Sequence, residues 1–216
     1  MKKFFQFLDP YHQGPWFFKW DFWGLTFMVG GSFYMCTHTK GFGDVLMDNI
    51  FIYFPNYLTH EILGHNIVGE VGWRICHESC PALGDWWASA MGNGMETLLP
   101  LGLLLIALRM SGGRWLLPGL WYWLGSTLYE AGVYASDARA CKLPLTSSDM
   151  MTNYAPGTVK GDWHYILEPL GLLNYDTIIG QILIIFGVVC VVLAIYSLYY
   201  YCTHVDQYWG GSQNSY

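Results

Sequence analysis

From Thr177 to Tyr201 the chain runs for 25 residues without a charge. A helix needs roughly 20 apolar residues to cross the hydrocarbon core of a bilayer, so this segment is long enough to span one. In a water-soluble fold it would have to be wrapped on all sides, and the remainder of the chain is poorly equipped to present a polar exterior. Only 12% of the 216 residues are charged, about half the share usual in soluble domains, while 53% are hydrophobic and 18% aromatic. Lipid requires no charged covering. The expectation is an all-α integral membrane protein forming a single membrane domain, residues 1–216.

Four further segments read as spans, giving about five. Residues 87–108 carry only Glu96, and residues 115–135 carry only Glu130; the short basic turn Arg109 to Arg114 between them reads as a tight helical hairpin. Residues 16–37 form a first span with Lys19 and Asp21 at its edge. Residues 45–71 hold Asp48, Pro55, His60, Glu61 and His65. Such a helix is poorly suited to face lipid, so it is expected to be sheltered by the others and bent near Pro55. Trp16, Trp20, Trp23, Trp86, Trp87 and Tyr199 to Tyr201 crowd the span ends, as amphipathic rings do where hydrocarbon meets headgroups. Residues 136–176 are too polar to span and read as a structured extramembrane loop with a short interfacial helix at 165–173.

The net charge of −6 comes from 16 acids against 10 bases, with no basic run, which excludes a nucleic-acid footprint. With five spans, Lys2, Lys3, Lys19, Arg74, Arg139, Lys142 and Lys160 fall on one side, against Lys40, Arg109 and Arg114 on the other. The positive-inside rule then places the N-terminus in the cytoplasm and the C-terminus outside. Asp9, Pro10 and His12 interrupt the start of the chain before a signal-peptide core forms, so the first span is expected to act as the signal. The six cysteines are too scattered for a disulfide scaffold. Cys76 and Cys80, flanking His77, leave three options open: a partial metal site, a small disulfide or two free thiols.

Ionisable groups at membrane depth are costly and ask for a reason. His60, Glu61, His65, Glu96 and Glu130 are such groups, with Asp137 just past the fourth span. Three of them lie within six residues, in Thr59-His60-Glu61-Ile62-Leu63-Gly64-His65-Asn66. The run is close to H-E-x-x-H, in which two imidazoles one helical turn apart bind zinc and the intervening Glu is the base. Here the second His comes five positions after the first. On a regular α-helix five residues leave the two rings roughly 140° apart. A π-type turn would absorb the extra residue and realign them; alternatively Glu61 and His65, four apart, form the facing pair.

This segment resembles the metal motif of the site-2-type intramembrane metalloproteases. Residues 92–101 (GNGMETLLPL), 136–145 (SDARACKLPL) and 162–175 (DWHYILEPLGLLNY) resemble an uncharacterised bacterial branch of that group. The resemblance implies a zinc site in a bacterial inner membrane, with His60, His65 and Asp137 as ligands and Glu61 as the catalytic base. Glu96 and His164 are substitute ligands. It implies hydrolysis of peptide bonds within or near the bilayer. Two alternatives stand beside it: a catalytically silent subunit of a larger membrane complex, and a redox subunit in which His60 or His65 ligates haem.

Overall fold

A computed structural model of the chain describes residues 55–109, 116–143 and 159–209, with side chains as far as residue 200. The described residues are helical throughout apart from short turns, and no strand occurs among them. The expected first span, the part of the second before Pro55 and most of the turn at 109–114 lie outside the described residues.

A helical turn at 55–57 passes into a π-helix, Leu58–Gly69, and then into α1, Glu70–His77. A turn held by the Cys80 amide on the Cys76 carbonyl leads to α2, Pro81–Arg109. Proline at the start suits the first helical position, where no intrahelical amide bond is lost, so α2 begins six residues before the expected span. Next come α3, Leu117–Ser136, a short α4, Asp162–Leu167, and α5, Asp176–Trp209. The expected interfacial helix at 165–173 is thus shifted toward the N-terminus. It stops at Leu167 because Gly171 adopts a left-handed φ of +68°, letting the Leu172 amide bond back to the Leu167 carbonyl at 3.0 Å.

Two of the described helical segments, Pro81–Arg109 and Leu173–Tyr200, are long and apolar enough to cross a membrane. Only 28% of the most apolar stretch of each is buried. The outward faces carry Leu98, Leu105 and Ile106 on α2, and Ile185, Phe186, Val192 and Ile195 on α5. Helix α3 matches the fourth expected span in extent, but its Gly, Ser, Tyr and Trp content makes it less apolar.

The core lies where α2, α3 and α5 meet, built on Leu104, Ala107, Leu120, Leu124 and Cys190. Helices α3 and α5 approach at two glycine pairs. A Cβ at Gly125 would sit 2.9 Å from the Gly187 carbonyl oxygen, and one at Gly132 would sit 2.6 Å from that of Gly180. Both pairs are seven residues apart along their helices, so small residues line one seam and let the backbones touch, the usual basis of helix association in lipid. Polar groups tie the turn leading into the π-helix to α3: Asn56 donates to the Glu130 carboxylate at 3.2 Å and accepts from the Trp123 indole at 2.6 Å.

Candidate metal centre

The π-helix resolves the five-residue spacing. Its wider turn closes hydrogen bonds over five residues, as when the Glu70 amide reaches the His65 carbonyl. Residues five apart therefore return to one face, and the His60 and His65 ring centroids lie 4.8 Å apart. Packing stabilises this winding. Gly64 meets α2 so closely that a Cβ would fall 2.6 Å from the Gly92 Cα. The Trp87 indole on α2 donates to the Val68 carbonyl at 3.1 Å, and the Thr59 hydroxyl donates to the Pro55 carbonyl at 2.9 Å.

Each imidazole is oriented through Nδ1. His65 Nδ1 lies 2.9 Å from the Ala88 carbonyl oxygen. A carbonyl can only accept, so Nδ1 carries the proton and Nε2 presents a lone pair when the ring is neutral. His60 Nδ1 lies 2.8 Å from Oε2 of Glu96, which is buried on α2. Gly92 leaves room for the second ring, since a Cβ there would overlap the His65 imidazole.

Asp162, at the start of α4, completes the group. Its Oδ2 lies 3.1 Å from His65 Nε2 and 3.3 Å from His60 Nε2, and the two Nε2 atoms are 3.2 Å apart. The Trp86 indole helps dock α4 on α2 by donating to the Ile166 carbonyl at 3.2 Å. Two imidazole lone pairs and a carboxylate this close need positive charge between them, supplied by a shared proton or by a metal ion. Burial alone would push the Asp162 carboxyl up, but hydrogen bonds from the His60 and His65 rings outweigh it and bring the group down to about 2. His60, His65 and Asp162 form a group that could hold a metal ion. Tetrahedral arms of about 2.0–2.1 Å place ligand atoms roughly 3.3 Å apart, close to the observed separations.

Beside the centre is a cavity of about 280 Å³ whose lining includes Glu61, His65, Asn93, Asp137, Asp162 and Trp163. The Glu61 carboxylate makes no hydrogen bond among the described residues. Asp137 shares the cavity but stands apart from the cluster. It caps the end of α3, its Oδ2 accepting the Lys142 and Leu143 amides at 2.6 and 2.7 Å, so the carboxylate in the expected third-ligand position is committed to backbone. Glu96 orients His60, and its contact is with Nδ1 rather than with the converging Nε2 atoms. His164 is also outside the cluster: its Nδ1 donates to the Ala138 carbonyl at 2.9 Å, and its Nε2 lies 3.2 Å from Glu168. Lys160 holds the Glu168 carboxyl below its ordinary range. Cys76 and Cys80 are free thiols.

The sequence reading does not single out Asp162. It lies 97 residues from His65 and 102 from His60, and although it opens the segment 162–175 that carries part of the resemblance, nothing there gives it a ligand role. No family model matches the chain, and no curated protein or solved structure shows significant similarity to it.

Proposed function

We propose that the chain is a zinc-dependent hydrolase of the bacterial inner membrane that cleaves peptide bonds within or near the bilayer. The observation that carries this reading is the convergence of His60 Nε2, His65 Nε2 and Asp162 Oδ2 at 3.1–3.3 Å beside a cavity that also contains Glu61. Three nitrogen and oxygen donors with space alongside match the donor set of a catalytic rather than a structural zinc site, which is closed by four protein ligands. Carboxylate–imidazole and carbonyl–imidazole contacts of the kind made by Glu96 and Ala88 support it, since partners of this type fix ligating histidines.

Zinc held there supplies Lewis acidity that makes water a nucleophile near neutral pH. The remaining roles belong to the chain. Glu61 receives the proton from the attacking water and returns it to the leaving amine. Glu96 and the Ala88 carbonyl keep both Nε2 atoms turned to the centre. A helical substrate must unwind before a peptide bond can enter, because its carbonyls are otherwise bonded within the helix.

In this reading about five helices span the membrane, with the N-terminus cytoplasmic and the C-terminus outside. The exposed apolar faces of α2 and α5 support contact with lipid. They also favour a second reading, a silent subunit whose partners cover those faces.

The test is metal content and hydrolysis of the detergent-purified full chain without chelators. The expectation is about one zinc per chain, retained by Glu61→Gln, while hydrolysis of a membrane-spanning model peptide falls by roughly 10²–10⁴-fold. Absence of zinc would sink the hydrolase reading; co-purification in a fixed stoichiometric complex would then favour the silent subunit.

A further inference from the structure

We propose that Asn93 and Trp163 are a carbonyl-binding pair in the cavity beside the centre, donating hydrogen bonds to backbone oxygens of an unwound peptide segment. The proposal rests on the peptide-hydrolase reading and names how that site recognises its substrate.

Two side-chain donors, Asn93 Nδ2 and Trp163 Nε1, are shut off from solvent and have no hydrogen-bond partner among the described residues. Both residues line the cavity that holds Glu61 and Asp162. Buried donors without acceptors are rare in native proteins because each forfeits its bond to water with nothing in return. An indole N–H can only donate, so Trp163 needs an acceptor. The chain's own acids do not meet the need: Asp137 is held by the Lys142 and Leu143 amides, and Asp162 Oδ2 faces the two imidazoles.

Placement ties both donors to the centre. Asn93 follows Gly92, the residue against which the His65 ring packs, and Trp163 follows Asp162. The two residues thus bring different helices, α2 and α4, to the lining of one cavity. Glu61, Asp137 and Asp162 line the cavity together with Lys160, His65 and His164, so the lining has no excess of cations to hold an anion. A neutral oxygen suits the cavity. An unwound stretch of membrane helix brings such oxygens, its backbone carbonyls having lost their helical partners in a medium that offers no water.

The experiment uses the full chain carrying Glu61→Gln, so that bound peptide is not consumed, in detergent micelles. Two fluorophore-labelled membrane-spanning peptides are the probes, one a continuous Leu/Ala helix and one with a central Asn-Gly pair that loosens it. Anisotropy should show tighter binding of the loosened peptide. Adding Asn93→Leu or Trp163→Phe should weaken that binding roughly tenfold, the loss of about one hydrogen bond. Zinc content should stay at the parent level, and the thermal midpoint should hold or rise, because a buried donor without a partner has been removed. A falling midpoint would show that the donors are bonded within the fold and would overturn the proposal. Unchanged affinity in both variants, equal affinity for the two peptides, or no binding by the parent would also overturn it. A parent that lacks zinc sinks the hydrolase reading separately, because peptide binding is scored without turnover.

Discussion

At the scale of single residues, the centre depends on which nitrogen of each ring is occupied. Glu96 and the Ala88 carbonyl engage Nδ1 of His60 and His65, so the two Nε2 atoms are left to meet Asp162. The two aspartates of the cavity should therefore separate cleanly. Asp162→Asn removes the anionic member of the triangle, and zinc should fall well below one per chain. Asp137→Ala removes an acceptor for two amides, so zinc should remain while stability drops by about 1–3 kcal/mol. Metal analysis with a thermal melt reads both, and zinc lost from the Asp137 variant alone would exchange their roles.

At the scale of elements, the centre exists because a π-helix is pressed against α2. The contact is backbone on backbone at Gly64 and Gly92, and the same glycine makes space for the His65 ring. Gly92→Ala inserts a methyl group where the imidazole now lies. The expected result is at least tenfold weaker zinc binding, with a stability loss of about 1–3 kcal/mol from overpacking. Gly102→Ala on the same helix is the control: nothing lies within 4 Å of the added carbon. There the change should be neutral or stabilising by up to about 1 kcal/mol, as alanine favours helix over glycine. Zinc titrations that move equally in the two variants would contradict the steric account.

At the scale of the whole molecule, the apolar face of α5 needs a cover. Ile185, Phe186, Val192 and Ile195 are each more than half exposed, and neither candidate spanning helix is wrapped as the core helix of a soluble protein would be. If lipid supplies the cover, the chain should remain in the membrane pellet after alkaline carbonate washing and enter solution only with detergent. Release by carbonate alone would refute integral insertion. The shared α2, α3 and α5 core and the glycine seam between α3 and α5 then become the frame against which the π-helix and α4 hold their ionisable groups.

Much of this was legible in the sequence. Apolar runs with at most one charge mark the helices at 87–108, 115–135 and 177–201 to within a few residues at most of their ends, because burial in lipid or core selects apolar length directly. The concentration of His60, Glu61 and His65 on one segment marks a costly site wherever the chain folds. The number of spans is a different matter, since only two described helices are apolar enough to cross by themselves. Nor could spacing decide whether two histidines five apart meet. That depends on α or π winding, which differ by one residue per hydrogen-bonded turn and are selected here by the Gly64–Gly92 contact. Asp162 was invisible for the same reason. About a hundred residues separate it from the imidazoles, and no local pattern records a partner that helix packing alone brings within 3.3 Å. Sequence by itself determined which segments are helical and apolar, and where charge is concentrated; tertiary packing decided which of those charges face one another.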